Sequence, residues 1–409
     1  MMCAHNPFIS YGREESSESK KDMEEGNMFY NRGQFSDALD KYQHATHLRE
    51  QESPNSLSVA ASRSNVAAVY YAQKRYVEAL EEYTKAMHIQ EVKAPQSSVL
   101  ASTYSNMGLV YKAMGNLALC VKYYEKALDI NERDAPNSLS LAATYNSMGA
   151  VLYSLGQYES CLQQYLKAVR IHETKAPMRL PLASTYNNLG LVYKALQRLQ
   201  LAEEYFVKSL HIKEKEAPGS LTITTTYANL ASIHKAKGAW DTALEFLHKI
   251  LTVQLREAPN SADVAGTYNE MAEVYLGKKQ AKTALEFYTK ALGVYTLLSS
   301  TSDKIAMTHV GMGSVYERQG HFGKALELYR KALDVLERLD ETSDDILLSV
   351  YDRMSVAYDR NGQKGLSEEM KDRADALRAA ASATVAEVGT EDVDNGSAGG
   401  AQHVKKEEL

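Results

Sequence analysis

Two histidines one helical turn apart have the spacing of a metal-binding pair in this 409-residue chain. His44 and His47 could hold a metal ion between them, but no third ligand lies beside them in the sequence. At the equivalent positions 41 residues later the chain has Lys85 and His88, side chains typical of a solvated helix face. We therefore interpret the pair as an exposed helix surface and predict no metal site.

The three cysteines are the other candidates for chemistry, as nucleophiles. Cys120 and Cys161 stand where equivalent segments of the chain have alanine, so we expect small buried side chains rather than reactive thiolates. Three thiols are too few for a disulfide framework, and the glycines do not follow predicted strands, as a phosphate site requires. The sequence thus predicts no catalytic residue, no cofactor and no enzymatic activity.

Composition excludes several broad classes of protein. With 44% hydrophobic and 24% charged residues, the chain has the average composition of a folded, water-soluble protein. Its formal net charge of −6 indicates no basic face for nucleic acid. No apolar run approaches the ~20 residues that cross a bilayer, and residues 1–22 lack the apolar core of a secretory signal. These features predict a cytoplasmic protein with no nucleic-acid partner and no membrane insertion.

The elements that would position any site repeat every 41 residues. Prolines show the period first, at Pro54, Pro95, Pro136, Pro177, Pro218 and Pro259. One column of small residues consists of Gly26, Ala67, Gly108, Gly149, Gly190, Ala231, Ala272 and Gly313. A column of large residues consists of Tyr42, Tyr83, Tyr124, Tyr165, Phe206, Leu247, Tyr288 and Tyr329. We expect the small residues to let two helices approach while the large residues fill the space beside them.

Nine units follow from this period, starting near residues 19, 60, 101, 142, 183, 224, 265, 306 and 348. Each unit has apolar residues at three- and four-residue steps in two blocks, which predicts two helices. Glycines such as Gly115 lie between the blocks and supply a left-handed cap for the first helix. The proline ends the second helix, and Asn137 or Ser138 can then cap the next first helix.

The order of small, aromatic, glycine, alanine, tyrosine and alanine positions resembles the tetratricopeptide repeat over residues 19–381. The resemblance implies an all-α, right-handed superhelical solenoid of about nine antiparallel helix pairs. Residues 1–18 and 382–409 are polar and lack a helical period, so they are predicted to be disordered tails. The stretch YNNLGLVYKA (186–195) is most similar to the repeats of kinesin light chains. Because residues 1–18 lack the heptads that join those light chains to a motor, we expect a free-standing relative.

In kinesin light chains the first helices line a concave groove that binds peptides, so the resemblance implies a groove here. The matching positions in repeats 2–6 are Asn65, Tyr71, Asn106, Lys112, Asn146, Tyr153, Asn187, Asn188, Lys194, Asn229 and Lys235. Asparagine can bond the backbone of an extended peptide, lysine can pair with an acidic group, and tyrosine is enriched at binding hot spots. The alternative is that the asparagines bond a neighbouring helix and the lysines are simply solvated.

The function implied by the resemblance is a non-catalytic adaptor that binds aromatic or acidic peptide segments, in microtubule-motor cargo transport or cytoskeletal assembly. Two alternatives stay open: a structural scaffold that uses its convex face or C-terminal repeats, and a co-chaperone that clamps C-terminal carboxylates. For the clamp, the available residues supply only part of the set, namely Lys112, Asn188, Lys194, Asn229 and Lys235. Repeats 7–9 lose the prolines and become acidic, which predicts a different partner or an end cap there.

Overall fold

The computed structural model describes residues 16–298, 303–339 and 344–394. Over these ranges the chain forms eighteen α-helices and no strand, and each odd-numbered helix packs against the helix that follows it to form a helix pair. This confirms the predicted all-α class and the solenoid of repeated helix pairs. The helices belong to two compact units, Met1–Pro218 and Gly219–Leu409, which we describe separately.

The first unit contains five helix pairs. Its first helices are α1 (Ser17–Asn31), α3 (Leu57–Ala72), α5 (Ser98–Ala113), α7 (Leu139–Ser154) and α9 (Leu180–Ala195). Its second helices are α2 (Phe35–Glu52), α4 (Tyr76–Lys93), α6 (Leu117–Asp134), α8 (Tyr158–Lys175) and α10 (Leu199–Glu216). Most of the predicted N-terminal tail, residues 1–15, lies outside the described residues.

The second unit contains four helix pairs. Its helices are α11 (Leu221–Ala236), α12 (Trp240–Glu257), α13 (Ala262–Gly277), α14 (Ala281–Leu297), α15 (Asp303–Arg318), α16 (Phe322–Leu336), α17 (Asp344–Arg360) and α18 (Lys364–Asp394). The backbone of residues 382–394 is therefore helical where the sequence analysis predicts disorder, because the alanine-rich run 374–386 favours continuation of α18. Residues 395–409 lie outside the described residues, among which no helix is long and apolar enough to cross a bilayer.

Close approach of the two helices in a pair depends on the small-residue column. A Cβ atom added at Gly149 would lie 2.7 Å from the Tyr165 ring, and one added at Gly190 would lie 2.5 Å from the Phe206 ring. Both distances are far shorter than van der Waals contact, so the large ring occupies the space that the glycine leaves. The predicted pairing of small and large residues is confirmed at these positions.

The residues considered for chemistry are placed as the repeat pattern predicts. Cys120 and Cys161 are fully buried, and burial raises the pKa of their thiols to about 11 and about 12. At neutral pH both are therefore protonated and unsuited to act as nucleophiles. His44 and His47 are both exposed on α2, where His44 Nδ1 lies 2.5 Å from a carboxylate oxygen of Asp22.

The helices end and begin at the proline, serine and glycine positions that the sequence predicts. The second helix α6 ends at Asp134, and the residue before Pro136 has an extended φ of −142° that no longer continues the helix. Ser138 then caps α7 by accepting a hydrogen bond from the Leu141 amide at 3.1 Å. Between the helices of a pair, Gly115 has a φ of +80°, which confirms the left-handed turn predicted for glycine at this position.

Each joint between repeats of the first unit contains a polar pair that the sequence analysis missed. A tyrosine of the first helix donates its hydroxyl to a glutamate in the last turn of the preceding second helix. The pairs are Tyr104–Glu91 (2.7 Å), Tyr145–Glu132 (2.5 Å) and Tyr186–Glu173 (2.6 Å). In the second repeat, Arg63 takes the place of the tyrosine and pairs with Glu50. Both columns recur every 41 residues, so the period contains the signal that identifies them.

Candidate peptide-binding surface

A groove in the second unit shows which face of the first helices is open. Side chains of α11, α13, α15 and α17 line it, and its volume is about 1240 Å³. Asn229 and Lys235 are part of this lining. The residues equivalent to Asn229 in the following repeats, Glu270, Gly311 and Arg353, also line it. We call this cavity the second-unit groove.

The 41-residue period assigns the equivalent face of α3, α5, α7 and α9 in the first unit, which we call the first-unit groove face. Asn106 and Asn188 hold the position of Asn229 on α5 and α9, and both are half-buried. Asn65 holds the same position on α3 but is only 1% exposed, and neither of its amide atoms has a hydrogen-bond partner in the described chain. In the first unit, Asn106 and Asn188 are therefore the asparagines of this column that a ligand can reach most readily.

Asparagines one position earlier in the repeat, such as Asn146 and Asn269, form hydrogen bonds with the next repeat. Asn146 Nδ2 donates to Thr185 Oγ1 of the next repeat at 2.8 Å, and Asn269 Nδ2 donates to Thr308 Oγ1 at 2.7 Å. Asn187 is 8% exposed. This is the alternative in which an asparagine bonds a neighbouring helix, although the partner is a hydroxyl rather than a backbone carbonyl. The carbonyl oxygen of Asn146 has no partner among the described residues, so this side chain keeps one free acceptor.

The three lysines of the candidate site differ in their exposure and in their acidic partners. Lys112 is exposed on α5, and no described carboxylate forms an ion pair with it. Lys194 is half-buried on α9. Lys235 Nζ lies 2.7 Å from Glu273 Oε2, so it already has an acidic partner within the second unit. Lys112 consequently offers the strongest positive charge to an acidic ligand.

Tyr71 and Tyr153 form small aromatic clusters at the end of their helices. The ring of Tyr71 lies 5.8 Å from that of Tyr76, and the ring of Tyr153 lies 5.5 Å from that of Tyr158. Burial raises the pKa of both hydroxyls, so both tyrosines are neutral donors at physiological pH. Both side chains remain half-exposed and offer an apolar surface with a polar tip.

A further column of buried polar side chains lies in the last turn of the second helices, and the sequence analysis did not select it. Its members Arg49, Gln90, Asn131, His172, Lys213 and Gln254 are each at most 8% exposed. His172 Nε2 lies 3.4 Å from Asn146 Nδ2, and His172 Nδ1 has no partner in the described chain. Burial lowers the pKa of His172, so the ring is neutral in the folded protein. The polarity of this column in the first six repeats is visible in the sequence.

Comparison with known families gives one match. The family model of the tetratricopeptide repeat matches residues 22–91, 99–174, 140–215, 181–255, 221–297 and 304–379. These segments together include both compact units. Among proteins with a curated description, none matches the sequence.

Solved structures share the fold at low sequence identity. The apo form of the quorum sensor NprR from B. thuringiensis is 17% identical, with a TM-score of 0.60 over 78% of this chain and 87% of that chain. A tetratricopeptide repeat protein from Parabacteroides merdae is 16% identical, with a TM-score of 0.50 over 73% and 98%. A putative kinesin light chain from Podosopora anserina is 17% identical, with a TM-score of 0.43 over 48% and 96%. At these identities the likeness extends to the fold alone.

Proposed function

This chain belongs to the tetratricopeptide repeat family, and from that premise we propose that it is a non-catalytic adaptor that binds extended peptide segments along the open face of its first helices. The observation that supports the proposal most directly is the pair of half-buried asparagines Asn106 and Asn188 together with Lys112, which forms no ion pair with a described residue. Asn106 and Lys112 lie less than two turns apart on α5, and Asn188 and Lys194 have the same spacing on α9. Amides can bond a peptide backbone while the lysine selects an acidic side chain.

The ligand we propose is a segment with an aromatic residue among acidic ones. Lys112 supplies the unmatched positive charge, and the half-exposed rings of Tyr71 and Tyr153 supply flat apolar contact. A lysine makes a point contact and lacks the bidentate fork of arginine, so recognition of the acidic group is directed more by charge than by geometry. The cytoplasmic, cytoskeleton-associated setting that we propose has one support, the similarity of residues 186–195 to kinesin light chain repeats.

The double substitution Lys112→Glu, Lys194→Glu tests the adaptor function. We expect it to weaken binding of a fluorescent peptide containing one tryptophan between two aspartates by more than about tenfold, because each change replaces attraction by repulsion. The measurement is fluorescence polarisation at two salt concentrations, since the loss should be larger at low ionic strength. The matched control is Lys122→Glu, Lys175→Glu, which changes the same number of charges at exposed positions on the second helices α6 and α8.

The same pair of variants separates the adaptor from a scaffold. A scaffold that associates through its convex face should lose partners in the Lys122→Glu, Lys175→Glu variant and keep them in the groove variant, as judged by affinity purification with mass spectrometry. Equal peptide affinity in wild type and the Lys112→Glu, Lys194→Glu variant would contradict the adaptor proposal. The carboxylate-clamp alternative is weakened by the Lys235–Glu273 pair, because that lysine already has an acidic partner.

A further inference from the structure

The second-unit groove has a notch in its lining at Gly311. Gly311 holds the position that Asn229 holds two repeats earlier, so the lining lacks a side chain there. A Cβ atom added at Gly311 would lie 2.6 Å from the hydroxyl oxygen of Tyr288. Tyr288 is part of the groove lining, and its hydroxyl forms no hydrogen bond with the described residues. The end of the Tyr288 ring therefore occupies the notch that the missing side chain leaves, and its phenolic hydroxyl is presented at the lining of the groove.

Two arginines adjoin this notch. Burial raises the pKa of Tyr288, the charge of Glu273 adds to the rise, and the charges of Arg318 and Arg353 oppose it. Both guanidinium groups are therefore within electrostatic reach of the hydroxyl. Arg353 Nη1 donates to Ser314 Oγ at 2.9 Å and lies 3.8 Å from Glu317 Oε2, which fixes its position. Arg318 is exposed and makes no ion pair with any residue that the structure describes.

A second observation in the same groove also indicates a missing polar ligand. Tyr295 lines the groove and is 1% exposed, yet its hydroxyl has no hydrogen-bond partner in the described chain. Asn269 also lines the groove, and its side-chain carbonyl oxygen likewise has no hydrogen-bond partner in the described chain. Buried polar groups of this kind are normally satisfied, and a peptide backbone offers both the acceptor and the donor that they lack.

We propose that the notch at Gly311 is a subsite for the carboxylate of an acidic side chain on an extended peptide, separate from the first-unit groove face. The Tyr288 hydroxyl and the guanidinium of Arg318 donate to the carboxylate, and Arg353 adds positive charge. A peptide is the expected occupant because the cavity, at about 1240 Å³, exceeds the roughly 300–1,000 Å³ typical of small-molecule pockets. The exposed side chain of Met307 flanks the notch and offers apolar contact to the neighbouring peptide residue.

The chain contains its own reporter for this site. Trp240 is the only tryptophan in the sequence and lines the second-unit groove, so its fluorescence responds to occupancy of this groove. The probe is a blocked octapeptide of serine and leucine with one central glutamate, compared with a twin that has glutamine instead. We expect the glutamate peptide to change the Trp240 emission and to bind about tenfold more tightly than its twin, as loss of a charge-assisted hydrogen bond predicts.

Two variants and two controls test the assignment in the full-length protein. Arg318→Gln, at an exposed position that should not disturb folding, should remove the preference for glutamate. Gly311→Asn should displace the Tyr288 hydroxyl from the notch and weaken the glutamate peptide to the level of its twin. Lys282→Gln, an exposed charge change on α14 outside the groove, and Lys122→Gln, an exposed charge change on α6 of the first unit, should leave both affinities unchanged.

Three results would overturn the proposal: no binding of the glutamate peptide to wild type, equal binding of the two peptides, or an unchanged preference in Arg318→Gln. A phosphoserine version of the peptide that binds where the glutamate version does not would also overturn it, because the subsite would then select a phosphate rather than a carboxylate.

Discussion

Buried polar side chains are the unusual feature of this protein at the scale of single residues. Gln90 and Asn131 lie in the interior with amide atoms that have no hydrogen-bond partner in the described chain, and the same is true of His172 Nδ1. Each such atom costs about 1–3 kcal/mol when it lacks a hydrogen bond. Leu336, which is fully buried at the equivalent position of the eighth repeat, shows that an apolar side chain fits there too. The polar column is therefore not a requirement of helix packing.

Replacing His172 by glutamine, the residue at the equivalent position 90, should make the stability of the first unit less dependent on pH. Burial holds the pKa of His172 below the ~6.5 of an unfolded histidine, so the unfolded chain takes up the proton first as pH falls. Above about pH 6.5 the neutral ring makes its full contribution to the free energy of unfolding. Below that pH the contribution falls by no more than about 1.4 kcal/mol per pH unit. Urea unfolding followed by circular dichroism between about pH 7 and pH 5 measures the slope.

The control for this experiment is His211→Gln, since it makes the same substitution at an exposed position on α10. An identical pH dependence in wild type and the His172→Gln variant would contradict the assignment.

The limits of sequence-based prediction are also visible at this scale. Burial of Cys120 and Cys161 was predictable because their column is alanine in other repeats. The different fates of Asn106 and Asn146 were not, because both columns contain asparagine and only the partner across the repeat distinguishes them. The pairing of Lys235 with Glu273 likewise depends on which side chains meet between α11 and α13. Periodicity predicts the face on which a residue lies but not the contact it makes.

At the scale of the helices, the joints between repeats depend on tyrosine–glutamate pairs. Tyr145 donates to Glu132 in the last turn of α6, and Lys167 of α8 lies over the Tyr145 ring at 4.9 Å. The lysine also approaches Glu132, at 3.4 Å. One tyrosine thus connects three helices that belong to two repeats. Stacked repeats owe much of their stability to such nearest-neighbour contacts.

Tyr145→Phe should lower the stability of the first unit by about 1 kcal/mol, because it removes the hydroxyl bonded to Glu132 and keeps the ring. The loss is modest since Glu132 is half-exposed and water can replace the bond. The matched control is Tyr268→Phe in the second unit, where the residue at the glutamate position is Leu255 and no such bond exists. Thermal unfolding of both variants measures the difference, and equal shifts would show that the hydroxyl–glutamate bond adds nothing.

At the scale of the whole chain, the period predicted the number, order and approximate ends of the helices. Proline, serine and glycine at fixed positions act on the backbone next to them. The end of α6 at Asp134, the helix cap at Ser138 and the left-handed turn at Gly115 could therefore be predicted from the sequence. The division into two compact units could not, because Pro218 continues the period without interruption. The extent of α18 was also missed, since alanine propensity rather than periodic burial extends it to Asp394.

In a solenoid in which each repeat contacts its neighbours, a destabilising substitution should promote unfolding only near the substituted repeat. Gly149→Val places side-chain atoms where a Cβ already lies 2.7 Å from the Tyr165 ring, and overpacking of this kind costs about 1–3 kcal/mol. We expect hydrogen–deuterium exchange to accelerate in α7, α8 and the adjoining helices α6 and α9, and to stay unchanged in α15 and α16. Gly266→Val is the matched control, because nothing lies within 4 Å of a Cβ at Gly266, and it should change exchange in neither unit. Acceleration of equal size in α7 and α15 would instead mean that the whole chain unfolds as one cooperative body.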